Sequence, residues 1–147
     1  TTFSMTRVVP GIGGTGPGSE PEVRAITTFL TEYVQPAFEQ VIVFSFHSAC
    51  PPRGYVQPGY FENGDPDPVS AAFAREAARA AGYKSLHSWV QDPPITGELI
   101  HFCADRGIIS MDVELPSYDM PEIIPTGKKE PTIQSMRRMV FHILTMK

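Results

Sequence analysis

The sequence lacks three features that would each place it in a broad class of proteins. Positive charge is not in excess, because 12 Lys and Arg residues stand against 16 Asp and Glu residues, for a formal net charge of −4. Nucleic-acid-binding surfaces are normally basic. No apolar run approaches the roughly 18 residues that a membrane span needs. The two cysteines, Cys50 and Cys103, are too few for a disulfide framework or a cysteine-only zinc site. We therefore expect neither a nucleic-acid partner nor a membrane span.

The beginning of the chain also lacks an initiator Met and the basic and apolar segments of a secretory leader. Such a start is typical of a processed chain or of a piece of a longer protein. Residues 1–18 are rich in Gly and Pro and predict a loop. An apolar fraction of 41% over 147 residues is enough for a hydrophobic core. We therefore expect residues 1–147 to form a single domain or a domain fragment.

Two short apolar runs with β-branched residues, at 41–46 and 108–115, predict buried strands. The predicted order along the chain is helix, strand, loop, helix, helix, strand, helix. The loop covers residues 48–68, and Pro131 is predicted in the first turn of the last helix. This alternation predicts an α/β fold with a mostly parallel or mixed sheet flanked by helices.

In such sheets, functional sites form beyond the carboxyl ends of the strands. His47 lies at the end of the first predicted strand, where an imidazole can bind a metal or transfer a proton. A hydrogen-bonded structural histidine is the alternative. Among the other histidines, the patterns favour structural roles for His101 and His142 and leave His87 ambiguous. No two histidines have the spacing of a self-contained zinc site.

A second candidate lies in M-D-V-E-L-P (111–116), because a carboxylate in an apolar strand is costly to bury. Burial would raise the pKa of Glu114 and make it useful as a general base near neutral pH. A glutamate that reaches solvent or pairs with an arginine is the alternative. Asp112 shares the face of Glu114 because side chains alternate along a strand. Periodicity alone leaves open which of the two carboxylates is important.

Three segments of the chain, in order, resemble segments of the zinc carboxypeptidase (carboxypeptidase A-like) family. They are G-P-G-S-E-P-E-V-R-A-I (16–26), V-I-V-F-S-F-H-S (41–48) and T-G-E-L-I-H-F-C-A-D-R-G-I-I-S-M-D-V-E-L-P (96–116). Within them, S-F-H (45–47) and F-C-A-D (102–105) are similar to the bacterial murein tripeptide amidase subgroup. The resemblance implies the C-terminal part of a zinc-carboxypeptidase-like (phosphorylase/hydrolase-like) fold.

The resemblance also implies the chemistry, which is hydrolysis of a peptide or amide bond, with peptidoglycan peptides as candidate substrates. His47 matches the third zinc ligand of the family. Glu114 matches the general base that activates zinc-bound water, and this match selects Glu114 over Asp112. The implied cofactor is zinc, and the implied partner is a peptide or muropeptide substrate. Action in the bacterial cytoplasm and action outside the membrane are both compatible with the resemblance.

The sequence also departs from the family pattern. It contains no H-x-x-E motif, which supplies the family's other two zinc ligands, and the family's substrate-binding arginine and Asn-Arg motif are absent. The position of the family's tyrosine holds Asp92, so the substrate-binding residues stay unassigned. One histidine cannot hold a zinc ion that needs three protein ligands. We therefore expect the isolated chain to be inactive and the other ligands to come from an N-terminal part of the same domain.

Two alternatives belong to different classes of function. A non-catalytic module with the same fold could bind peptides or cell-wall material without a metal. An aspartoacylase-like amidohydrolase would act on small N-acyl amino acids. The S-E-P-E segment (19–22) favours the peptidase branch over this second alternative.

Overall fold

The computed structural model describes residues 18–50, 54–61, 63–87, 97–116 and 126–146. The predicted loop over residues 1–18, apart from Gly18, lies outside these ranges, and so does Asp92. Within the described ranges, no helix is both long enough and apolar enough to cross a membrane.

Four strands make up one mixed sheet: β1 (Ile42–Cys50), β2 (Tyr55–Pro58), β3 (Lys84–Ser85) and β4 (Ile109–Pro116). Their order across the sheet is β1-β4-β2-β3. β1 runs parallel to β4, whereas β2 runs antiparallel to β4 and parallel to β3. The mixed sheet and its flanking helices confirm the predicted α/β class.

The helices are α1 (Pro21–Thr28), α2 (Pro68–Ala81), α3 (Leu99–Ala104) and α4 (Thr126–Thr145), of which α2, α3 and α4 pack around the sheet. α1 continues into a π-helical turn at Phe29–Val34 and a 3-10 turn at Gln35–Ala37. α2 shows clear local reasons for its bounds. The Asp67 carboxylate accepts hydrogen bonds from the first backbone N–H groups, and Gly82 ends the helix at a φ of 75°.

The prediction of one long loop over residues 48–68 is wrong. β1 continues to Cys50, and β2 lies within the supposed loop. Sequence patterns missed β2 because it contains Pro58 and lies among glycines and prolines, which normally argue against a strand. Pairing with β4 stabilises it instead. His47 consequently lies inside β1 rather than at its end.

The predicted start of the last helix is also wrong, because α4 begins at Thr126 and Pro131 lies inside it. Proline has no backbone N–H, so the helix lacks one hydrogen bond at that point. The helix nevertheless packs against α2. The Arg138 guanidinium donates to the Ala80 carbonyl oxygen, with a nitrogen–oxygen distance of 3.2 Å.

The two faces of the sheet have different chemistry. The apolar face carries Val56, Met111 and Val113, which are buried with Met139 of α4 and four alanines of α2. The polar face carries Ser45, His47, Gln57, Asp112 and Glu114, which share one side through strand alternation and register. Beside the polar face, Leu30, Phe102, Cys103 and Ile108 form a second, smaller core. These two cores hold the strands that position the candidate site.

Candidate functional site

The structure places the two residues that the sequence singled out next to each other. His47 of β1 and Glu114 of β4 are register partners in a parallel pair, so their side chains leave the sheet on the same side. Glu114 is partly buried near the carboxyl end of β4. The individual roles of both residues remain predictions, but their spatial proximity is a feature of the fold.

The His47 ring turns back along its own strand and toward Asp112. Its Nε2 lies 2.7 Å from the Ser45 hydroxyl and 3.6 Å from the nearer carboxylate oxygen of Asp112, an ion-pair distance longer than an ordinary hydrogen bond. The His47 side chain is 49% exposed and that of Asp112 is 3% exposed. A buried carboxylate therefore lies beneath a half-exposed imidazole.

The charges around His47 favour its protonated form. The interaction with the Asp112 carboxylate is the largest influence and raises the pKa of His47 above 6.5, while partial burial of the ring opposes the shift. The carboxylates of Glu114 and Glu98 act in the same direction as Asp112. On this carboxylate-rich face, the imidazole of His47 is thus more easily protonated than that of an ordinary histidine.

Glu98 belongs to the site, although the sequence analysis did not identify it. It lies immediately before α3, where its side chain and that of His101 form a capping box. Burial raises the pKa of Glu98 to about 7, with Asp112 and Glu114 adding to the shift and His47 opposing it. The only sequence signal was a polar residue after Gly97 at a helix start, which is common at helix N-termini.

His101 and Tyr60 line the inner side of this cluster. Burial lowers the pKa of His101, so the ring is held neutral beside Glu98. Burial also raises the pKa of Tyr60 to about 12, and the carboxylates of Glu98 and Asp112 contribute. The Tyr60 hydroxyl and the Gln57 side-chain oxygen are buried without a hydrogen-bond partner among the described residues. Unpaired buried polar atoms are uncommon in structural cores and more typical of functional sites.

The remaining candidates lie elsewhere or play other roles. His142 contacts Glu76 across the α2–α4 packing, with 3.0 Å between its Nε2 and the carboxylate. Cys103 is a buried, free cysteine whose thiol pKa is raised to about 12 by burial, which makes it unreactive. The side chain of Cys50 lies outside what the structure describes.

The geometry excludes a nucleophilic triad built on Ser45, His47 and Asp112. In such a triad the acid holds one ring nitrogen while the other nitrogen accepts the serine proton. Here the Ser45 hydroxyl and the Asp112 carboxylate approach the same nitrogen, Nε2. The arrangement instead suits a carboxylate that accepts a proton beside an oriented imidazole.

A catalytic zinc ion needs three protein ligands. In the described part of the chain, no group of three or more His, Cys, Asp or Glu side chains is arranged to hold a metal ion. His47, the one ligand that the resemblance assigns to this chain, has its Nε2 occupied by Ser45 and Asp112. The described residues therefore do not form a zinc site by themselves.

No protein-family profile and no curated protein matches this chain. Two solved structures are similar to it. One is the murein-tripeptide amidase MpaA from Escherichia coli O157, with a TM-score of 0.53 and 23% identity, over 86% of this chain and 44% of that one. The other is the ectoine utilization protein EutE (DoeB) from Ruegeria pomeroyi, with a TM-score of 0.54 and 12% identity, over 100% of this chain and 42% of that one.

This chain thus spans less than half the length of either protein. At these identities the likeness concerns the fold and leaves the chemistry open. It confirms the fold class that the sequence predicts: the chain has an α/β fold of the zinc-carboxypeptidase-like class.

Proposed function

We propose that the polar face is part of an amide-hydrolysing site of the carboxypeptidase type, with peptide or muropeptide substrates. The observation that carries the proposal is the register pairing of His47 with Glu114 on the parallel strands β1 and β4. A murein-tripeptide amidase among the fold neighbours supports this class of substrate. The hydrolysis of an amide needs a base near the attacking water, and a carboxylate at the open end of a strand suits that task.

In this proposal, Glu114 is the general base. Its carboxylate takes a proton from the attacking water as the water oxygen bonds to the carbonyl carbon. The same carboxyl group then gives the proton to the amide nitrogen as the C–N bond breaks, so the products are an acid and an amine. Glu114 is only partly buried, so water can reach its carboxylate.

The resemblance implies a zinc ion, and most of its protein ligands would have to come from outside the described residues. This chain would contribute His47, and two further ligands would come from another part of the same domain. The isolated 147-residue chain is therefore expected to bind no stoichiometric zinc. This expectation makes zinc content the first arm of the test.

The test compares the 147-residue chain with the longest form of the protein that its gene encodes. Elemental analysis should find about one zinc per molecule in a form that contains all three ligands, and much less in the chain alone. In the zinc-binding form, Glu114→Gln should lower kcat for hydrolysis of a murein tripeptide by about 10²- to 10⁴-fold, because a general base contributes that much.

The control is Glu32→Gln, an exposed site on the π-helical turn, which should keep full activity. Unchanged turnover in Glu114→Gln would overturn the assignment of the base. An N-acyl amino acid tested beside the tripeptide separates the peptidase proposal from the aspartoacylase-like alternative.

A non-catalytic binding module is the second candidate, and it is favoured because the described residues do not by themselves form a three-ligand metal site. This candidate predicts that the zinc-free 147-residue chain binds muropeptides and that His47→Ala leaves the affinity unchanged. Titration calorimetry with a murein tripeptide measures both. Hydrolysis that is lost in Glu114→Gln would rule this candidate out.

A further inference from the structure

We propose that Asp112 is a positioning residue, which holds the His47 imidazole in one orientation so that its Nδ1 faces the site. The inference rests on the proposed function, because it explains how His47 is prepared for that role. Its evidence is a row of side chains across three neighbouring strands. Neither periodicity nor the family resemblance gave Asp112 this role.

The row follows from the register of the sheet. Ser45 of β1 and Gln57 of β2 are both register partners of Asp112, one on each side of β4. Because register partners project to the same side, all three side chains and His47 meet on the polar face. The central strand therefore supplies a carboxylate that reaches a neighbour on either side.

Asp112 is itself held firmly. One of its carboxylate oxygens accepts a hydrogen bond from the Gln57 side-chain nitrogen at 3.2 Å, and the other faces His47. Gln57 is 1% exposed and Asp112 is 2% exposed. A buried carboxylate with a buried hydrogen-bond donor behind it has little freedom to move, so it can fix the group in front of it.

The consequence for His47 is a defined ring orientation. Nε2 points inward to Ser45 and Asp112, and within the described ranges no hydrogen bond involves Nδ1. The half-exposed side chain leaves Nδ1 as the ring nitrogen that a substrate or another ligand can reach. Ligand-binding histidines commonly have their second nitrogen held by a carboxylate in this way.

The test measures the His47 side-chain orientation directly by NMR, at a pH at which the ring is neutral. Three-bond couplings should show one rotamer in the parent chain, and the Nε2 proton should exchange slowly with water. Asp112→Ala should average the rotamers and lose the slow proton. Asp112→Asn keeps the shape and a hydrogen-bonding oxygen, so it should retain one rotamer.

Two further variants complete the design. Ser110→Ala is the control. It removes a buried hydroxyl of β4 that donates to the Ile100 carbonyl oxygen rather than bonding to His47, so the His47 rotamer should stay unchanged. If Asp112→Ala fails to fold, the double variant Gln57→Met with Asp112→Leu removes both polar partners together, which proteins tolerate better. This variant should also release the His47 ring.

A single His47 rotamer that persists without Asp112 overturns the proposal. In the zinc-binding form, Asp112→Ala should also lower kcat by about 10- to 100-fold, because small errors in placement are costly to catalysis. The NMR result does not depend on activity. An ordered ring that depends on Asp112, together with full turnover in Glu114→Gln, would therefore reject the proposed function and keep the positioning role.

Discussion

The two faces of the sheet come from the same strands, yet they bury opposite kinds of side chain. On the apolar face, Val56 and Val113 are fully buried against helices α2 and α4. On the polar face, Gln57 and Asp112 are buried to nearly the same extent, although they are polar. Burial on the polar face is compensated only in part. Gln57 donates a hydrogen bond to Asp112 across the strands, but the Gln57 side-chain oxygen has no partner among the described residues, so this face is a poor source of stability.

Because side chains alternate along β4, this one strand contributes to both faces of the sheet. Met111 and Val113 enter the apolar core, while Asp112 and Glu114 between and after them leave on the other side. A strand with helices on both sides usually carries apolar residues throughout. The two carboxylates of β4 thus mark the face on which polar side chains take the place of an apolar core.

The largest expected effect comes from placing a carboxylate on the apolar face of the sheet. Val113→Asp would bury a carboxylate among apolar side chains, which donate no hydrogen bond to it. We expect a loss of more than about 3 kcal/mol in the free energy of unfolding, measured by urea denaturation. Ile133→Asp, at a position on α4 that is 41% exposed, should cost less than about 0.5 kcal/mol. Equal midpoints for the two variants would show that the faces do not differ in this way.

A smaller effect is expected where α3 packs closely against the strands beside the polar face. Gly59 donates its backbone N–H to the Ser110 carbonyl oxygen at 2.9 Å. A Cβ at Gly59 would press on the Ser110 hydroxyl and lie 2.9 Å from the Ile100 carbonyl oxygen. Gly59→Ala should therefore destabilise the fold by about 1–3 kcal/mol in urea denaturation.

The matched control for this variant is Gly127→Ala in α4, where nothing lies within 4 Å of the added Cβ. Alanine is favoured over glycine in a helix by about 0.5–1 kcal/mol, so this variant should be neutral or slightly more stable. A Gly59→Ala protein as stable as the Gly127→Ala protein would mean that α3 does not need this close approach.

Sequence reasoning identified the two strands that carry His47 and Glu114, although His47 lies inside β1 and not at its end. It did not reach β2, since Tyr55–Pro58 becomes a strand through its pairing with β4 and not through its own composition. Without β2, the sequence offered no reason to connect Gln57 with Asp112. The pairing of strands distant in the chain is a tertiary property, so the row across the sheet became visible only in the structure.

Glu98 was missed for a related reason. Its importance comes from where α3 places it, close to carboxylates that belong to β4, and not from any motif around it. In the sequence, 15 residues separate Glu98 from Glu114, and nothing in them indicates that the two carboxylates approach each other. Charge interactions across such separations depend on packing, which local patterns do not encode.

The smallest expected effect concerns Glu98, because its replacement changes how stability depends on pH more than stability itself. Burial raises the pKa of Glu98 from 4.5 to about 7, and Asp112 adds to this shift. Between these pH values the folded chain retains a proton that the unfolded chain has released. The contribution of Glu98 to stability is therefore complete below pH 4.5 and is lost as the pH rises to about 7.

Glu98→Gln keeps an oxygen that can cap α3 but removes this titration. Its free energy of unfolding, measured by urea denaturation across this pH range, should fall less with rising pH than that of the parent chain. His47 and His101 titrate in both proteins. Because the Glu98 carboxylate also raises the pKa of His47, the difference between the two curves reports the titration of Glu98 together with its effect on His47. Glu22→Gln, at an exposed position in the first turn of α1, should follow the parent curve. Parallel curves for Glu98→Gln and the parent chain would mean that folding does not raise the pKa of Glu98. The carboxylates of the polar face would then not act on Glu98 as the structure indicates.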